Sequence, residues 1–137
     1  MKIKLLSDCV KCPTSAYEHD AGLDIYLPFA INVFPNETIV IDTKIAVQIP
    51  DGYAGLFKVR SSISKKGIVI QEPLIDSNYR GELHIIVTNC SNEIFRANKN
   101  DRICSLLIFP IFTEELEIVD ELDPSERDNK CFGSSGA

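Results

Sequence analysis

The stretch TIVIDTKIAVQI, Thr38 to Ile49, decides how the rest of the chain is read. Ile39, Ile41, Thr43, Ile45, Val47 and Ile49 share one face of an extended strand; Val40, Asp42, Lys44, Ala46 and Gln48 share the other. A period of two, sustained in β-branched residues, describes a strand with one face turned to a core. Working outward, "MKIKLL" precedes it, and "AGLFKV", "GELHIIVTN", "ICSLLIFPIF" and "ELEIVDEL" follow, separated by Pro, Gly, Asn or Asp. Many short strands with frequent turn signals predict an all-β sandwich or barrel. One helical turn is expected, over "SSISKKG", with a serine as N-cap and Gly67 closing it in the left-handed conformation.

The bulk composition bounds the function. At 137 residues, 45% hydrophobic and 25% charged, the chain reads as one soluble globular domain. Residues 1–123 are expected to form its body, and 124–137, which lose all periodicity, a mobile C-terminal arm. No apolar run approaches the ~18 residues of a membrane span, and the N-terminus lacks the features of a secretory signal. The net charge of -6 argues against nucleic-acid binding and demands local cations, or a bound one, for any anionic substrate. Five scattered cysteines, an odd number, suggest reduced thiols in an intracellular compartment, cytoplasmic or nuclear. The lone pair Cys9 and Cys12 has no further ligands to make a zinc site.

Three clusters carry candidate chemistry, and each has a plainer structural reading beside it. In "FKVRSSISKKG", Arg60, Ser61 and Ser62 stand at the start of the helical turn, where a guanidinium, hydroxyls and backbone N–H groups suit an anion; a plain turn with solvated charges would look the same. In "LIDSNYRGE", Asp76 could orient and deprotonate a water, or simply hydrogen-bond its own turn. Tyr79 offers a flat wall to a sugar or base. In "DAGLDIYLP", Asp24 follows a tight Gly turn and could reach Mg²⁺ through water. His19 and His84 form no recognisable triad and read as surface or satisfied residues. Phe132, next to a Gly-Ser tail, lacks the apolar neighbours of a core residue.

Taken in order, "DAGLDIYLP", "VRSSISKKGI", "LIDSNYRGE", "NDRICSLLI" and "RDNKCFGSSGA" resemble the five motifs of the trimeric dUTPase family along nearly the whole chain. The spacing between Gly67 and Asp76 is similar to the short form of that family's substrate hairpin. The resemblance implies a jelly-roll-like β-barrel, a homotrimer with active sites at subunit interfaces, and hydrolysis of dUTP to dUMP and pyrophosphate with Mg²⁺. It implies that Asp76 positions the water attacking the α-phosphorus and that Tyr79 packs under the deoxyribose, leaving no space for a 2′-hydroxyl. Arg60, Ser61, Ser62 and Ser105 then fall among the phosphate contacts, and Asp24 on the aspartate that meets Mg²⁺ through water. Ile70, Pro73 and Leu74 fall on the base-reading hairpin. Arg127 would meet the γ-phosphate, Phe132 would stack on uracil, and Gly133, Ser134 and Ser135 would wrap the phosphates as the arm closes. Asp101 and Arg102 match a pair with a mainly structural part.

The chain departs from the family pattern at several points. Pro73 stands where a Gly is usual and removes an N–H donor from the hairpin that reads uracil. Ser105 replaces a Gln, Ser62 replaces a Gly, and Asp128, Lys130 and Cys131 replace arm glycines. "RSS" also occurs in dCTP deaminase, a relative on the same fold, but the glutamate that a deaminase needs after the third motif is missing from "LHIIVTN". A non-catalytic, protein-binding member of the family is the other alternative; a domain freed from catalysis has no packing reason to keep Phe132 in a loose tail.

Overall fold

The computed structural model describes residues 1–125; the last motif, with Arg127, Phe132, Gly133, Ser134 and Ser135, lies outside them. Among the described residues nine strands and one short helix run in the order β1 (Lys2–Leu5), β2 (Gly22–Tyr26), β3 (Ile31–Val33), β4 (Thr38–Gln48), β5 (Tyr53–Val59), α1 (Ser61–Ser64), β6 (Ile68–Ile70), β7 (Glu82–Asn89), β8 (Phe95–Ala97) and β9 (Arg102–Pro110). They form three open sheets, β1-β4-β7-β6, β2-β9-β5 and β3-β8, every pairing antiparallel. The all-β expectation holds, with the strands distributed over these sheets rather than hydrogen-bonded into one closed barrel. No helix of the described residues is long and apolar enough to cross a membrane.

The alternation read from Thr38 to Ile49 is what the fold uses. Ile41, Thr43, Ile45, Val47 and Ile49 are buried, and Val40, Asp42 and Gln48 are exposed. A bulge interrupts the strand, because four steps from Asp42 to Ala46 face only two from His84 to Glu82 on β7. The surplus is even, so the inward set stays inward. Lys44 takes φ 59° at the bulge. The buried Thr43 hydroxyl donates to the Leu83 carbonyl at 2.8 Å and accepts from the Ile45 N–H at 3.2 Å, which supplies partners where the ladder is broken. Against this face pack Ile68 and Ile70 of β6, Leu83, Ile85 and Val87 of β7, Phe57 of β5, and Ile103 and Leu106 of β9. Cutting one of these, such as Ile85, to Ala would cost about 2–5 kcal/mol.

Two expectations are corrected. "ELEIVDEL", residues 115–122, forms no strand: Leu116, Ile118 and Leu122 are nearly fully exposed, and among the described residues no strand pairs with them. The helical turn is not capped by a serine. Its N-cap is Arg60, in extended conformation with no side-chain cap bond, because its side chain is turned to Asp24. Gly67 does take the left-handed conformation (φ 75°) after α1. Among the described residues Cys9, Cys12, Cys90 and Cys104 are free thiols.

Candidate active site

Asp76 is placed by the residue before it. Ile75 is buried and exchanges both backbone hydrogen bonds with Gly55 of β5, at 2.7 and 2.9 Å, so the chain leaves β5's edge at a fixed point. A turn then closes through the Tyr79 N–H on the Asp76 carbonyl at 3.1 Å, and the Arg80 guanidinium donates to the carbonyls of Ser77 and Tyr79. The Asp76 side chain is exposed, and among the described residues it makes no hydrogen bond or ion pair. Its oxygens are therefore free to accept from a water.

Tyr79 folds back over Gly81 and donates its hydroxyl to the Glu82 carbonyl at 2.9 Å. A Cβ at position 81 would stand 2.4 Å from the Tyr79 hydroxyl oxygen, so only glycine lets the ring lie there. The ring and Asp76 border a cavity of about 280 Å³, with Pro73 and Leu74 of the hairpin on one side and Glu82, His84 and Ile86 of β7 on the other. A mostly apolar cavity of this size with a few polar groups suits one base and sugar. Ile70 does not reach it: its side chain is buried in the core, so any ligand contact it makes is through its main chain.

The second half is built around a buried charge. Asp24, on β2, is 6% exposed. Its Oδ2 accepts from the guanidinium groups of Arg60 and Arg102, the latter at 2.9 Å, and its Oδ1 accepts from the Ser105 hydroxyl at 2.7 Å. Burial alone would raise the carboxyl, but the Ser105 hydroxyl and the two arginines outweigh it and hold Asp24 below the usual carboxylate range. Gly22 makes room for this arrangement, since a Cβ there would stand 2.9 Å from that of Ser105. Next to it on β9, burial first and the Asp24 charge second push the Cys104 thiol up, so it stays protonated. Asp24, Arg60, Ser61 and Ser105 line a cavity of about 320 Å³ together with Asp20.

For Mg²⁺ the donor set is restrictive. Among the described residues no group of three or more His, Cys, Asp or Glu side chains is placed to hold a metal ion, and both Asp24 oxygens already accept hydrogen bonds. That excludes a cage made of these side chains alone. It fits an ion that arrives on a triphosphate with its own water shell and is met by one carboxylate through that shell.

The expected residues thus fall into two cavities with no lining residue in common. Asp76, Tyr79, Pro73 and Leu74 border one, and Asp24, Arg60, Ser61 and Ser105 the other. Ser62 borders neither; it lines a basic cavity beside the second, with Arg60, Lys66, Arg96 and Arg102. Asp101 closes the turn before β9 by accepting the Asn98 N–H at 2.7 Å, a structural part. Sequence reasoning missed Glu82 and His84 as cavity residues, although their alternation with Ile86 along β7 puts all three on one face. It also missed Ser105 and Arg102 as partners of Asp24, contacts across the β2–β9 pair that no local pattern announces.

Comparison with known proteins supplies the family. The dUTPase family model matches residues 8–136. The deoxyuridine 5′-triphosphate nucleotidohydrolase of Clostridioides difficile is 35% identical over 99% of this chain and 97% of its own length. Among solved structures, a point mutant of the dUTPase of Staphylococcus bacteriophage 80alpha with dUpNHpp is 36% identical, with a TM-score of 0.92 over 99% of this chain and 98% of that one. A point mutant of the dUTPase of S. aureus phage phi11, described for its coordination of a structural Mg(II) ion, is 33% identical, with a TM-score of 0.80 over 88% of this chain and 96% of that one. With the family model matching residues 8–136 and a relative 35% identical over nearly the whole of both chains, the chain belongs to the dUTPase family.

Proposed function

We propose that the chain is a dUTP diphosphatase, hydrolysing dUTP to dUMP and pyrophosphate, and that it works as a homotrimer with Mg²⁺. What carries this is Asp76: an exposed carboxylate, without a partner among the described residues, on a pinned turn and bordering a nucleoside-sized cavity beside Tyr79. Asp76 accepts a proton from a water and directs its oxygen to the α-phosphorus; the bond to the bridging oxygen breaks and pyrophosphate leaves. Tyr79 holds the deoxyribose face, and its fixed ring is the element that excludes a ribose. The main chain of Ile70, Pro73 and Leu74 reads the base.

Arg60, Ser61, Ser62 and Ser105 receive the triphosphate, with Arg60 exchanging Asp24 for phosphate oxygens. Mg²⁺, when bound, neutralises phosphate charge and orients the chain of phosphates, and Asp24 meets it through water. Arg127, Phe132, Gly133, Ser134 and Ser135 complete the site over base and phosphates in this reading. A site divided between two cavities with no common lining favours assembly from more than one subunit. So do the exposed apolar side chains of Phe112, Leu116, Ile118 and Leu122.

The test is pyrophosphate release from dUTP, dCTP, dTTP and UTP, with Mg²⁺ and with EDTA, with Asp76→Asn as control. Release confined to dUTP, needing Mg²⁺ and lost in the control, is expected. Release spread over several bases would locate a loss of selectivity at Pro73. No release from a folded protein would favour a non-catalytic member of the family.

A further inference from the structure

The nucleoside cavity contains a group that the proposed chemistry does not use. His84 lies on the outer face of β7 between Glu82 and Ile86, and all three border the cavity with Asp76 and Tyr79. Directly across the sheet, Asp42 of β4 is its register partner, and His84 Nδ1 stands 3.0 Å from Asp42 Oδ1. An ionised carboxylate can only accept, so Nδ1 carries the hydrogen. Asp42 remains ionised at neutral pH: the bond from His84 and then the bond from Lys44 hold its carboxyl below the ordinary range. Lys44 Nζ sits 3.4 Å from both Asp42 and Glu82, which ties the back of the pair to the cavity rim.

With Nδ1 committed, Nε2 at the opposite end of the ring is the atom left for a ligand, and in the neutral imidazole it is an acceptor. The sugar end of the cavity is marked by Tyr79, whose hydroxyl is anchored on the Glu82 carbonyl, two residues before His84. A 2′-deoxynucleoside triphosphate has one free hydroxyl on its sugar, at the 3′ carbon.

We propose that His84 binds substrate, its Nε2 accepting a hydrogen bond from the 3′-hydroxyl of the deoxyribose, and that Asp42 is the positioning residue that fixes the ring and its tautomer. This rests on the dUTPase reading of the cavity. It adds a contact that favours deoxynucleotides with an intact 3′-hydroxyl, alongside the exclusion of a 2′-hydroxyl by Tyr79.

The experiment compares kcat and KM for dUTP and 2′,3′-dideoxyuridine triphosphate in the full chain, His84→Ala, His84→Gln and Asp42→Asn. The parent should prefer dUTP by about tenfold in kcat/KM, the effect of one hydrogen bond, and mostly through KM. In His84→Ala that preference should collapse, because dUTP loses a contact that the dideoxy analogue never makes. His84→Gln, which keeps an acceptor, should recover part of it. Asp42→Asn should lower the preference without changing turnover of the analogue, a split that a merely structural role would not produce. An unchanged preference in His84→Ala, or none in the parent, overturns the proposal while leaving dUTP hydrolysis standing. A folded parent that turns over neither nucleotide overturns the proposal and the dUTPase reading together.

Discussion

The two cavities are built by different physics. The one beside Asp76 is mostly apolar, and its key carboxylate is exposed, with no partner among the described residues. The one beside Asp24 is polar, and its key carboxylate is buried under two guanidinium groups and a hydroxyl. A free carboxylate contributes little to folding and is available for chemistry. A buried, fully partnered one contributes to folding and cannot act until its partners move. Substituting the two aspartates should therefore have opposite signatures. That contrast is the most direct way to break the comparison.

The largest effect is expected at Asp76. Asp76→Asn keeps the shape and removes the proposed base, so kcat should fall by about 10²–10⁴-fold while KM and the thermal midpoint stay near the parent values. A large loss of stability in this variant would mean that the carboxylate is partnered in solution, and the contrast would fail.

Asp24→Asn should instead show itself in unfolding. Removing the charge leaves Arg60 and Arg102 facing a neutral amide beside a buried site, at a cost of about 2 kcal/mol at pH 7. The sign with pH follows from the folded-state carboxyl lying below its unfolded value of about 3.9. The stabilisation is complete above that unfolded value and is lost as pH falls through the folded one. Urea midpoints of parent and variant should thus differ most above pH 5 and converge as pH drops below about 4. A gap that stays constant to pH 2 would show that the charge of Asp24 is not what the arginines stabilise.

Much of the fold was legible because strand alternation survives local accidents. Thr38–Ile49 kept its inward face across the bulge at Lys44, since the surplus in β4 is even. The same reasoning failed at Leu116, Ile118 and Leu122, which alternate in the same way but share their face with Asp120. A strand needs a partner edge as well as a pattern, and periodicity says nothing about which edge is available. Asn89 was invisible for a related reason. It is a buried amide at a strand end that donates to the carbonyls of Val33 and Glu93, both at 2.8 Å, and its partners come from elements the local pattern cannot bring together. In the site, Asp76, Tyr79, Arg60 and Asp24 could be picked out from motif order. The bonds from Arg102 and Ser105 to Asp24 could not, because they join residues about eighty positions apart.

Gly81→Ala sharpens the comparison from the apolar side. The new methyl group must displace the Tyr79 ring and with it the bond to the Glu82 carbonyl. KM for dUTP should rise about five- to tenfold, the worth of one such contact. The ratio of kcat/KM for dUTP over UTP should fall with it, as the wall against a 2′-hydroxyl is loosened. Unfolding at low pH should match the parent, since the Asp24 network is untouched. An unchanged dUTP-to-UTP ratio would remove Tyr79 as the wall.

Ser105→Ala is the smallest change and separates the two cavities most finely. The hydrogen bond from the Ser105 hydroxyl is the largest single interaction holding the Asp24 carboxyl down, followed by the bond and the charge of Arg60. Without it the folded-state pKa moves up toward the unfolded one, and the stability gained between pH 3 and pH 7 shrinks by about 1 kcal/mol. Ser105→Thr, which keeps the hydroxyl, should restore most of that gain. In the proposed binding mode dUMP lacks the two phosphates that the charged cavity would receive, so its binding should be little changed in Ser105→Ala while the affinity for a non-hydrolysable triphosphate falls. If both ligands weaken equally, the two halves are coupled through the sheet that joins Ser105 to Phe57, and the division into independent cavities does not hold.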